Sequence, residues 1–172
     1  MDFTTNNIQQ KLGYGARVNK FHCSFPSIGD SEEENMTYFL QSVDTPEKSI
    51  GEIVVNHQGL TYKLPGDITV SPVTLTFRVD QNMKSYNYMN LWINLIVDSL
   101  TNSRGLLSEV QKNLLLHQDG PNNEIVATWD MKGVFPTNVG PISYDADSVD
   151  TIGQFTVTFA INDFEYSSVG SV

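Results

Sequence analysis

At 172 residues, 40% of them hydrophobic, the chain suits one domain that buries about 70% of its unfolded surface. No apolar run approaches the roughly 20 residues of a membrane helix, and MDFTTNNIQQ at the start lacks both halves of a secretory signal, so a soluble protein that stays in the cytoplasm where it is made is expected. A formal charge of −10 argues against gripping nucleic acid, which takes Lys and Arg, and the single cysteine excludes an intrachain disulfide or a thiolate metal cluster.

In chain order, residues 1–16 read as a polar arm that orders on contact. Residues 17–25 and 36–43 read as the first two strands. Phe21, Cys23 and Phe25 share a face of the first, so Cys23 reads as a small buried hydrophobe. Between them PSIGDSEEEN, with three consecutive glutamates, reads as an exposed turn. Residues 43–72 carry short apolar runs (Ile50, Ile53 to Val55, Leu60 to Leu64, Ile68 to Val70) broken by Gly and Pro. That pattern fits a long hairpin with irregular arms better than core structure.

Val73, Leu75, Phe77 and Val79 alternate with polar residues and predict a half-buried strand. The period then changes. Met89, Trp92, Ile93, Ile96, Val97 and Leu100 predict a helix from about Lys84 to Leu100, capped by Asn82 or Ser85, with Gly105 beyond its end. Tyr86, Tyr88 and Trp92 on this helix have no interleaved basic residues and read as core rather than as a base-stacking platform. Residues 108–117 fit a short helix or a strand equally well.

In the last third, Ile125, Ala127 and Trp129 fall on one face of a strand, opposite Val126 and Thr128. Gly133, Pro136, Asn138, Gly140 and Pro141 then predict a rigid connection over 133–141. Phe155, Val157, Phe159 and Ile161 mark one face of a final strand. The order of elements is strands, one helix, more strands: a mainly β (α+β) chain folded as an antiparallel sandwich or barrel with one flanking helix.

Little in the sequence points to catalysis. His22, His57 and His117 lie on separate predicted segments without HExxH pairing, His57 reading as loop and His22 as strand edge. There is no phosphate-binding GxxxxGK[ST] loop. Gly13-Tyr14-Gly15 lacks the strand and third glycine of a dinucleotide fingerprint, and Asp145/Asp147 and Asp163/Glu165 lack the EF-hand pattern and read as solvated carboxylates. No enzyme, cofactor or metal site is expected. From Asp119 onward, eight acidic residues stand against Lys132 alone. This reads as a solubilising face or, inside a channel, as a wall that repels phosphate.

As a whole, KGVFPTNVG (132–140) followed by an acidic turn and FTVTFAINDFEY (155–166) resembles the tail tube proteins of contractile-tailed bacteriophages, a family related to the tubes of type VI secretion systems and contractile bacteriocins. The resemblance implies a single tail-tube-like domain over 1–172, with 43–72 as a protruding loop; it covers about 17–165, and the chain departs from it at the N-terminal arm, 1–16, and the C-terminal tail, 167–172, both read as flexible. It implies a structural virion protein, made in the host cytoplasm and incorporated in the tail. Hexameric rings would stack into a tube that conducts DNA during ejection without binding it specifically and without contacting a membrane. The implied partners are further copies of the chain, the tail sheath protein, and baseplate and tail-terminator proteins. On this basis Ile53, Val55, Leu60, Tyr62 and Leu64 of the loop are expected at ring-to-ring contacts. Lys132, Phe135, Pro136 and Asn138 are expected at a ring interface. The alternatives are a baseplate tube initiator of the same fold and, in a different class, a carbohydrate-binding sandwich that displays Trp129.

Overall fold

The computed structural model describes residues 17–28, 36–97 and 103–168. Within them lie nine strands: β1 (Phe21–Ser24), β2 (Leu40–Val43), β3 (Lys48–His57), β4 (Leu60–Val70), β5 (Val73–Arg78), β6 (Lys112–Asp119), β7 (Ile125–Val139), β8 (Gln154–Ala160) and β9 (Asp163–Ser168). Three helices accompany them: α1 (Met36–Phe39), α2 (Lys84–Ile96) and α3 (Leu107–Val110). The predicted polar arm, residues 29–35 of the triple-glutamate turn, the end of the helix near Leu100 and the end of the C-terminal tail lie outside the described residues, while Ile28 of that turn is buried in the core rather than exposed. Among the described residues no helix is long and apolar enough to cross a membrane.

Every strand pairing is antiparallel, and β7 organises them. Its first half lies between β6 and β9, and its second half pairs with β8, so β1-β6-β7-β9 and β7-β8-β5-β2 share one 15-residue strand. Residues 133–139 are therefore strand, not the rigid connection predicted from their Gly and Pro content. The chemistry behind that expectation acts in another way. Gly133 adopts φ 63°, where a Cβ would collide with the Asn162 side chain, so the backbone turns between the sheets without leaving the ladder. Pro136 sits where the register slips between Pro136 and Asn138, a bulge that tolerates a residue without an N–H.

Alternation along the strands fills one core. Leu75 and Phe77 of β5, Phe155, Val157 and Phe159 of β8, Leu114 and Leu116 of β6 and Met131 of β7 point inward. Helix α2 covers them with Tyr88, Met89 and Trp92. Trp92 meets Phe159 at 5.7 Å between ring centroids, and its indole N–H donates to the Val110 carbonyl at 2.9 Å. Phe77 stacks on Phe155 at 5.5 Å, and Tyr86 meets Phe155 edge-on. The helical aromatics are thus packing residues, as expected. Cys23 is fully buried, and burial pushes its thiol far above the ordinary range, so it behaves as a small hydrophobe.

Other expectations need correction. Residues 36–39 form a helical turn, α1, ahead of β2. Residues 107–119 use both structures left open by the sequence, the turn α3 followed by β6. Neither Asn82 nor Ser85 caps α2; the position before the helix is Met83, left-handed at φ 56°. Asp80 supplies the acceptor instead, taking the Ser85 backbone N–H at 3.0 Å and the Asn82 N–H at 3.2 Å.

Two stability predictions follow from these contacts. Gly133→Ala should cost about 1–3 kcal/mol in urea unfolding, because it forces a left-handed alanine against Asn162. The Asp80 carboxyl is raised by partial desolvation, but hydrogen bonds from Ser85 and Lys84 outweigh this and hold it below its ordinary 3.8. A folded value below the unfolded one means the contribution is complete at neutral pH and fades as pH falls through the folded value. Asp80→Asn should lower the melting temperature at pH 7 and flatten the acid limb of the stability profile.

Candidate assembly interface

The hairpin β3–β4 stands apart from both sheets and forms its own two-stranded ribbon. The sequence requires this. Gln58 and Gly59 both take positive φ, 48° and 82°, so the turn is a tight two-residue connection whose twist matches the strands. The arms are 10 and 11 residues long, which gives a projection of about 30 Å. The predicted irregularity is a register shift between Ile50 and Glu52, where Gly66 approaches the Gly51 carbonyl.

Register sorts the ribbon's side chains by face. Ile53 lies opposite Leu64, Val55 opposite Tyr62, and His57 opposite Leu60. Directly paired residues of antiparallel strands share a face, so all five hairpin residues predicted as contacts come together on one side. The other side is mixed: it carries Glu52, Val54, Asn56, Thr61, Lys63 and Pro65, with a Lys63–Glu52 ion pair at 2.7 Å and a Thr61–Asn56 hydrogen bond at 3.0 Å. The five apolar side chains are 42–62% exposed. A lone two-stranded ribbon is marginal in water, and this one exposes an apolar stripe along one face. His57 ends β3 beside the turn rather than lying within a loop.

The second predicted group is divided. Phe135 pairs with Ala160, next to inward-facing Phe159, so Phe135 lies on the outer face and is half-buried. Asn138 is exposed. Pro136 is buried within the chain's own fold. Lys132 is ion-paired to Glu165, which holds its ammonium and shifts its pKa upward.

The acidic pairs are more than solvated surface carboxylates. Asp163 pairs with Lys48 at 2.6 Å and Glu165 with Lys132, so β9 links the root of the hairpin to β7. The Lys48 hydrogen bond, with help from the Phe164 backbone N–H, holds the Asp163 carboxyl below its ordinary range. Asp145 and Asp147 lie in the loop before β8, where Asp145 accepts the Asp147 N–H at 3.1 Å. Lys48, Asp163 and Phe164 escaped sequence reasoning because their contact spans more than 110 positions. The histidines also meet unexpectedly. His22 and His117 pair across β1 and β6 with rings 4.6 Å apart, and His22 binds Asp119 at 2.8 Å. Trp129 packs on Tyr166 at 5.2 Å and is half-buried, a poor platform for a sugar ring.

The fold is of a class seen in solved contractile injection systems. A chain of the extended sheath–tube complex of the PVC extracellular contractile injection system superposes with a TM-score of 0.68 at 21% identity, covering 98% of this chain and 100% of that one. The tube-terminating cap of the anti-feeding prophage gives 0.69 at 20% identity, over 91% and 93%. Within this class the chain belongs to the phage tail tube protein family, which it matches over residues 3–167. It is 29% identical to the tail tube protein of Serratia phage KSP90, covering 89% of this chain and 91% of that one. The tail tube protein gp19 of Enterobacteria phage T4 is 25% identical over 87% and 91%. The baseplate tail-tube junction protein gp54 of the same phage is 29% identical over 73% of this chain and 41% of that protein. Tail tube proteins are structural components of the virion, and this chain is not an enzyme.

Burial separates contact residues from core residues in a measurable way. Leu64→Ala should change the unfolding free energy of the free subunit by less than about 0.5 kcal/mol. Leu75→Ala, at a fully buried position, should cost about 2–5 kcal/mol in the same urea titration.

Proposed function

We propose that this chain builds the inner tube of a contractile phage tail: copies close into hexameric rings, the rings stack, and DNA leaves through the bore. The observation that carries this reading is the apolar face of the β3–β4 ribbon, which has no cover within the described residues of its own subunit. A ribbon of this length reaches beyond its own sandwich, so its cover lies on another copy in the adjacent ring. Contacts between unlike surfaces generate rings when the rotation closes and continuous stacks when it does not. Phe135 and Asn138, on the accessible side of β7, are assigned to the interface between neighbouring subunits, and Pro136 shapes the strand from inside.

The acidic C-terminal third suits a bore that DNA traverses without sticking, because like charges repel and the cations that would hold phosphates are few. Sheath, baseplate and terminator proteins are the proposed partners. The fold relatives come from a sheath–tube complex and a tube-terminating cap, and one sequence relative is a baseplate–tube junction protein.

Negative-stain electron microscopy with size-exclusion chromatography tests the reading. The purified chain, concentrated and incubated, should give rings or hollow tubes with a central channel. Tyr62→Ser/Leu64→Ser and Phe135→Ala should stay folded by circular dichroism and yield no tubes. Tubes from both variants like those of the parent would overturn the interface assignment. A parent chain that caps preformed tubes without extending them would replace the tube reading with the initiator reading.

A further inference from the structure

The β3–β4 ribbon is joined to the sandwich by two short strands of chain, 44–47 and 71–72, and pairs with neither sheet. Two backbone hydrogen bonds bridge this neck: Asp44 N–H to the Thr74 carbonyl at 3.3 Å, and Ser71 N–H to the Glu47 carbonyl at 3.0 Å. The first continues the β2–β5 ladder and ties the start of the neck to the sandwich, whereas the second joins the two arms of the neck to each other. Val70, the last residue of β4, also packs against the core. Side-chain bonds within the ribbon, such as Lys63–Glu52 and Thr61–Asn56, only tie its two arms together.

Lys48 is different. It is the first residue of β3, and its ammonium crosses to β9, where three attractions converge. It pairs with the Asp163 carboxylate at 2.6 Å, donates to the Phe164 carbonyl at 2.9 Å, and lies 4.6 Å from the centre of the Phe164 ring. β9 itself is fixed, since it is paired with β7 along its length and Phe164 packs against the core. Glu165, two residues on, binds Lys132 of β7 and so braces the strand that Lys48 grips.

From this geometry we propose that Lys48 is a positioning residue for assembly: it fixes the angle at which the hairpin leaves the sandwich, so that the apolar face is already aimed at a second copy of the chain. The physical advantage is pre-organisation. A ribbon free to swing must surrender that freedom on docking, which weakens each contact, whereas a latched ribbon has lost it beforehand. A single exposed ion pair contributes little to folding stability. At a hinge its effect is on direction, and over a projection of about 30 Å a small angular error displaces the tip by several ångströms. Specificity comes from three different demands met together, a cation for Asp163, a donor for the carbonyl and a charge over the ring.

This proposal rests on the tube reading, and its test separates the two. Spin labels at Gln58→Cys, on the hairpin tip, and Ser167→Cys, on β9, report the ribbon's angle in the dilute free subunit; Cys23 is buried and stays unlabelled. The expected result is a narrow distance distribution in the parent. It should broaden in Lys48→Met, which keeps the aliphatic stem and loses the charge, and be restored in Lys48→Arg. Asp163→Asn and molar salt should broaden it as well. Unlabelled Lys48→Met should keep its circular dichroism and melting temperature while its lag before tube formation lengthens severalfold, with Lys48→Arg near the parent. An unchanged distribution in Lys48→Met, or tubes at the parent's rate, overturns the latch. A parent chain that forms no tubes overturns the assembly role, and the spin-label distances then judge the latch by themselves.

Discussion

The fold depends on the continuity of β7 through both sheets. A 15-residue strand that pairs first with β6 and β9 and then with β8 has to turn sharply while keeping its ladder. Gly133 makes this possible, because a left-handed φ is cheap only without a Cβ, and the space a Cβ would fill is taken by Asn162. The Asn162 N–H in turn donates to the Lys132 carbonyl, so the turn of β7 and the corner between β8 and β9 hold each other. From that corner β9 runs back along β7 and offers Asp163 and Phe164 to Lys48.

One chain of cause therefore connects the core to the ribbon. Phe155, Val157 and Phe159 anchor β8 against α2 and β5; β8 fixes the corner; the corner fixes β9; β9 holds the root of the ribbon. The ribbon has no core of its own: its apolar side is exposed within the described residues, and its other side carries the Glu52–Lys63 pair. Rigid sandwich and latched arm suit a part whose function is geometry rather than chemistry.

Much of this was legible in the sequence where a short-range pattern carries the information. The alternation of Val73 to Phe77 and of Phe155 to Ile161 gave β5 and β8, and the helical spacing of Met89, Trp92 and Ile93 gave α2. The hairpin was legible too, and Ile53, Val55, Leu60, Tyr62 and Leu64, at every second position on its arms, share a face once the turn is set. The turn-formers of 133–140 misled for a physical reason. Gly and Pro announce unusual dihedrals, and a bulged, bent strand needs those as much as a loop does. Asp80 was missed as the acceptor at α2 because it lies outside the usual capping positions, a choice made by the left-handed Met83.

The sequence by itself determined the class of fold, the acidic character of the chain, its resemblance to tail tube proteins and the existence of an apolar hairpin. These rest on composition and on periodicities of two and 3.6 residues, which local backbone geometry imposes. Only the tertiary structure decided that β7 serves two sheets, that His22 meets His117, and that Lys48 grips β9. Each of those joins residues about 100 positions apart or depends on one register, and one slip of register turns every side chain to the opposite face.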